Sequence, residues 1–143
     1  MAAINYFYQN TSFKLPFPRK TSAWIQKAIK KEKHKLEELN FIFCSDEELF
    51  QINQQYLNHN TYTDIITFDN SDGSGKIESD IFISTERIAE NATKLGIKHL
   101  DELNRVMIHG VLHLIGYSDK TDAQKREMRK KEDVYLSLRD FVD

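Results

Sequence analysis

The 143-residue sequence is poor in residues that cross-link or punctuate a chain, with one cysteine, two prolines and five glycines. A lone Cys44 excludes an intrachain disulfide and fits a reducing cytosol. It sits in an apolar run and reads as inert core. Both prolines fall within 13–18, which reads as a connection. The N-terminus lacks a basic region followed by an apolar one, so no signal peptide is expected, and no stretch is apolar enough to span a membrane. Neither sign of charge dominates. A net charge of -2 gives no global drive toward nucleic acid, so any contact with a polyanion must come from local patches. Repeats and low-complexity linkers are missing too. With 40% hydrophobic and 29% charged residues, the chain has the make-up of one globular domain, 1–143, with one core.

The most informative stretch is 106–119, VMIHGVLHLIGYSD. Before Gly116 it is apolar except at His109 and His113, which predicts a buried helix. Imidazoles four residues apart lie side by side on a helix. Either histidine alone reads as a hydrogen-bonded core residue. The pair is followed by Gly116, a helix terminator in the left-handed conformation, and then by Asp119. The chain can thus fold back and bring a carboxylate to two imidazoles. Two His nitrogens and a carboxylate oxygen make a catalytic zinc set with one position left for water. The spacing is also that of the metzincin motif, with Asp in place of its last His. His109, His113 and Asp119 are therefore the expected ligands of one Zn2+ per chain. Two His and one carboxylate also suit iron, so the spacing leaves the metal open. Gly110 stands where metalloproteases carry their Glu general base, which argues against peptidase chemistry.

HGVLHLIGY resembles the signature of the YbeY family, bacterial rRNA maturation factors that cut single-stranded RNA and hold one zinc. The family's third ligand is His, and this chain has Asp119 there. TDIITF at 63–68 resembles the family's TDVLSF, and Ser79, Asp80 and Ile81 resemble its Gly-Asp-Ile. Leu57 replaces a family arginine associated with activity. His59, Lys76 and Lys120 are candidate substitutes. The resemblance implies a metal-dependent endoribonuclease of the cytoplasm. It would act on single-stranded RNA, on rRNA at the small-subunit 3′ end, and on the small ribosomal subunit in quality control, without a membrane. Two alternatives stay open: a ribosome-associated RNA-binding protein with structural zinc, and a metallohydrolase of another substrate. The oligomeric state is left open.

In chain order, the pattern predicts strands at 4–8, 39–44, 63–69 and 77–84 and helices at 19–33, 46–57, 85–95, 99–115 and from 122 onward. Ser45 and Glu48 spell a capping box. The order β-α-β-α-β-β-α-α-α predicts a single-domain α+β fold, a four-stranded mixed sheet with helices packed on it and the metal site on a buried helix.

Asp64 and Asp80 are the weak catalytic candidates, either of which could orient water or receive its proton. The plainer expectation for Asp64 is a turn residue, and for Asp80 a bond to nearby backbone. Glu132 lies four residues after Met128, as in the family's Met-x-x-x-Glu. An exposed helix acid is the simpler reading; a partner to a metal-bound imidazole is the other. His34, His59 and His99 read as surface residues. Lys27, Lys30, Lys31 and Lys33 read as a solvated face. Lys120, Lys125, Arg126, Arg129, Lys130 and Lys131 follow the site closely enough to meet an RNA backbone.

Overall fold

The computed structural model describes residues 3–142. Its elements are β1 (Ala3–Gln9), α1 (Pro18–Lys31), β2 (Lys35–Cys44), α2 (Asp46–Leu57), β3 (Ile65–Asp69), β4 (Lys76–Ser84), α3 (Thr85–Leu95), α4 (His99–Ile115) and α5 (Asp122–Ser137). They form the expected α+β domain. The strand order is β1-β2-β4-β3; β1 and β4 pair with β2 in parallel, and β3 closes a hairpin on β4.

The period-two alternation of β4 assigns its two faces. Ile77, Ser79, Ile81 and Ile83 are buried, while Glu78, Asp80 and Phe82 are only half-buried. The three isoleucines of the first set join Leu39, Phe41 and Phe43 of β2, the apolar stripe of α1 (Trp24, Ile25, Ala28, Ile29) and six apolar residues of α4 in the main core. Each fully buried side chain of this kind contributes roughly 1.5–3 kcal/mol. Phe82, on the other face, belongs to a small cluster with Cys44, Leu49 and Ile66, which α2 covers. Asn5, Asn40 and Asp80 form a ladder across that second face. Asn5 donates to Asn40, and Asn40 donates to Asp80 Oδ1, each at 3.0 Å.

Helix α4 lies very close to the sheet at Gly110. A Cβ there would sit 2.9 Å from Cδ1 of Ile65 and 3.2 Å from Cδ1 of Ile81. Glycine at this position is what permits the approach.

Several expected boundaries move. Helix α1 stops at Lys31 because Lys33 is left-handed, with φ 62°. Strand β2 starts at Lys35, since Lys35, Leu36 and Glu38 already pair with β4 although Lys35 and Glu38 are exposed. Strand β3 begins at Ile65, two residues late. Only half of the expected capping box forms. Ser45 accepts from the Glu48 N–H, but Glu48 is drawn instead to the Asn10 amide. The reciprocal box occurs at Thr121 and Gln124, where it starts α5.

Candidate metal centre

Helix α4 carries His109 and His113 on one edge, with ring centroids 4.5 Å apart and planes at 83°. The helix ends at Gly116, whose φ of +124° no other residue adopts easily. Its N–H closes on the carbonyls of Leu112 and His113, and the chain reverses. Asp119 then returns, with Oδ2 3.4 Å from His109 Nε2 and 3.5 Å from His113 Nε2. One ligand atom from each of the three residues lies within 4.8 Å of the others. The helix is not dry along this edge, because the His113 side chain is 34% exposed and Asp119 40%.

Each imidazole is fixed from behind. His109 Nδ1 donates to Glu132 Oε2 at 2.7 Å, and His113 Nδ1 donates to the Tyr117 carbonyl at 2.9 Å. With Nδ1 protonated in both rings, a neutral ring has its Nε2 lone pair aimed at the Asp119 carboxylate. Three lone-pair donors facing one another repel unless a cation lies between them. Ligands about 2.0–2.1 Å from a tetrahedral zinc stand roughly 3.3–3.4 Å from each other, close to both Asp119 separations. The donor set, its tautomers and its spacing fit a metal ion.

Glu132 was expected at the surface and is instead 5% exposed. Its second oxygen accepts from Arg105 at 2.8 Å, and Arg105 also reaches Asp133 at 2.6 Å. Burial pushes the Glu132 carboxyl up, but the hydrogen bonds from His109 and Arg105 outweigh it and hold its pKa low. Burial likewise disfavours a charged His109, and Glu132, Asp119 and Asp64 outweigh it, lifting that pKa. The pocket is thus built for positive charge at His109, whether a proton or a metal on Nε2.

Tyr117 is held in turn. Its hydroxyl donates to Glu32 Oε1 at 2.8 Å, across 85 residues of sequence. Glu32 also accepts from the Tyr135 hydroxyl and from Lys131 Nζ at 3.2 Å. The returning loop is therefore tied to the end of α1 and to α5.

The structure places Asp64 but not Asp80 at this centre. Asp64 is half-buried and lines a cavity of about 300 Å³ with His109, Asp119, Arg105 and Glu102. Burial raises its pKa against weaker opposing effects, among them the charges of His109 and Arg87. Asp80 sits on the far face of the sheet in the asparagine ladder, with Asn70 as a second partner at 3.4 Å. Alternation along β4 turns it away from α4. Of the candidate substitute cations, His59 lines a second cavity beside His109 and His113, together with Leu57. Lys120 is exposed next to Asp119 in sequence, and Lys76 lies at the β3–β4 hairpin beside Glu37 and Asn70. His99 is exposed as expected, whereas His34 is half-buried on the Glu32 carbonyl at 2.8 Å. Cys44 is fully buried, its thiol pushed up to about 12 by burial and by Glu48 and Asp46, consistent with an inert role.

Sequence reasoning missed Arg105, Glu102 and Glu32. The first two stand four and seven residues before His109, on the same helical stripe, so the helix period could have found them. Nothing local marks Glu32.

Comparison with known proteins bears on the family and the fold. The sequence model described as Endoribonuclease YbeY matches residues 7–139. A Cytophaga hutchinsonii protein named Endoribonuclease YbeY is 51% identical over 138 residues, covering 96% of each chain. One of the same name from Amoebophilus asiaticus is 49% identical and covers 99% of this chain and 97% of its own. The solution structure of a Thermotoga maritima protein superposes with a TM-score of 0.68 at 26% identity, covering 92% of this chain and 87% of that one. A family match over nearly the whole sequence, a shared fold and a His-His-Asp cradle lead to one assignment: this chain belongs to the Endoribonuclease YbeY family.

Proposed function

We propose that this chain is an endoribonuclease of single-stranded RNA that acts in rRNA maturation on the small ribosomal subunit, with one zinc held by His109, His113 and Asp119. The observation that carries the reading is the convergence of two back-tethered imidazoles and a carboxylate on one point, in a chain whose relatives are named as endoribonucleases. The reaction adds water to a phosphodiester and breaks one P–O bond. When bound, zinc supplies a Lewis acid for a phosphate oxygen and makes water acidic enough to attack near neutral pH.

The chain's own residues do the rest. Glu132 and the Tyr117 carbonyl hold the Nδ1 protons, so both Nε2 atoms stay available as ligands. Asp64, beside His109 and with a raised pKa, is suited to exchange a proton with water or with the leaving oxygen. Lys125 and Arg129 line the same cavity and offer positive charge to the RNA backbone. Among the described residues no helix is long and apolar enough to cross a membrane. Residues 1–143 act as one catalytic domain, and the cytosol is the proposed location.

Purified protein loaded with zinc should cleave single-stranded rRNA fragments, and His113→Ala should lose both metal and cleavage. Equal cleavage by the two proteins overturns the reading. Leu57, apolar and beside both histidines, favours a second reading in which zinc is structural and RNA is bound uncut. In that case metal removal lowers thermal stability while the loaded protein leaves RNA intact.

A further inference from the structure

The cavity beside His109 contains a residue that the metal centre does not use. Glu102 is 6% exposed and, among the described residues, makes no hydrogen bond or ion pair with its side chain. Among the described residues, no buried side-chain oxygen is both sealed from solvent and unpartnered, so the Glu102 carboxylate opens into the cavity. A carboxylate this deep without a donor is destabilising. Apolar packing does not call for it either, since the buried Val106 and Met128 line the same cavity. Asp64 lines the same wall. At the mouth stand Lys125 and Arg129, exposed and in no ion pair within 4.0 Å among the described residues, though the charges of Arg129 and Arg105 reach Glu102.

A buried acceptor beside apolar side chains, with two cations at the rim that make no direct ion pair among the described residues, is the outline of a nucleotide rather than of a phosphate alone. Phosphate is attracted by Lys125 and Arg129 and repelled by Glu102 and Asp64. The deep end needs a neutral hydrogen-bond donor. The ribose 2′-hydroxyl is a donor carried by every RNA nucleotide and absent from DNA. Glu102 lies two helical turns before His109, roughly 10 Å along the axis, so the sugar it meets is not at the metal.

We propose that this cavity is a subsite for a nucleotide flanking the scissile bond, in which Glu102 accepts the ribose 2′-hydroxyl and Lys125 and Arg129 hold the adjoining phosphate. The proposal rests on the RNA reading above and adds a means of telling RNA from DNA away from the cut.

Binding of a short single-stranded RNA to the metal-stripped full chain, read by fluorescence anisotropy, separates the two ideas. A series of the same oligonucleotide carries one 2′-deoxy residue at each position in turn. In wild type, one position should weaken binding roughly tenfold when its hydroxyl is removed. In Glu102→Leu, that position should become insensitive while the others respond as before, and Glu102→Gln, which keeps an acceptor, should restore part of the response. Glu102→Leu should melt no lower than wild type, which shows that it folds. Lys125→Ala with Arg129→Ala should weaken every oligonucleotide alike and reduce the salt slope by about 2. Identical 2′-deoxy responses in wild type and Glu102→Leu overturn the subsite. An unchanged salt slope in the double variant overturns the phosphate contacts. If zinc-loaded wild type fails to cleave while the Glu102-dependent response is present, the nuclease reading falls and the subsite stands. No RNA binding by wild type overturns both.

Discussion

Glu132 on α5 and His109 on α4 share a 2.7 Å hydrogen bond, and the same carboxylate is anchored by Arg105 at 2.8 Å. The acid therefore sets the orientation of an imidazole in the candidate metal site. Glu132→Gln keeps the shape but removes the charge that supports a cation on the imidazole. Its zinc affinity should fall by about 10–100-fold, measured by competition with a chromophoric chelator. An unchanged affinity would mean that Glu132 serves the α4–α5 contact alone.

Asp119 should matter more directly. Elemental analysis of wild type as purified should find about one zinc per chain, and Asp119→Ala should retain far less after dialysis. Full occupancy in the variant would remove Asp119 from the metal centre.

Acid should weaken the protein through Glu32. Burial pushes this carboxyl up, but the hydrogen bonds from Tyr135, Tyr117 and Lys131 outweigh it, and its native pKa lies below the ordinary value. Its contribution to stability is thus fully present above the unfolded carboxylate pKa, about 4.3, and is lost as pH falls through the lower native value. Melting temperature plotted against pH should show a shallower acid limb in Glu32→Gln than in wild type. At neutral pH, Glu32→Ala should cost about 1–3 kcal/mol in denaturant unfolding, because two tyrosine hydroxyls lose an ionised partner.

Leu57 is 43% exposed and lies on the cavity shared by His109 and His113. Leu57→Arg places a cation there without burying it. RNA affinity should rise, and the salt slope should steepen by about 1. No change in slope would show that RNA does not pass over α2.

Gly110→Ala tests the contact between α4 and the sheet. The added methyl meets the Ile65 and Ile81 side-chain ends at 2.9 and 3.2 Å, so these must shift. A loss of about 1–3 kcal/mol is expected from overpacking, offset in part by the helix preference for alanine.

The elements of the fold could be read from period and caps because each is a local signal. Gly96 and Gly116 ended their helices, and Ser45 and Ser84 began theirs. His109, His113 and Asp119 could be read because helix geometry and a turn glycine determine where they point. Glu132 could not. Its exposure depends on which face α5 lays against α4, and its own helix is strongly charged on several sides. The length of β2 was hidden for a similar reason, since Lys35 and Glu38 are exposed strand residues recruited by pairing with β4. Asp80 matched a motif, but strand alternation points it away from the histidines.

The tie between Tyr117 and Glu32 has a bearing on the order in which a newly made chain matures. The loop that carries Asp119 is tied through Tyr117 to a residue synthesised near the beginning, while the acid behind His109 emerges close to the end. A nascent chain therefore cannot hold a preformed cradle until nearly all of it has left the ribosome and α1 has met α5. Under the proposed function, capture of the metal would then be a late event in biogenesis, and a truncated copy lacking α5 would lack the Glu132 support behind His109.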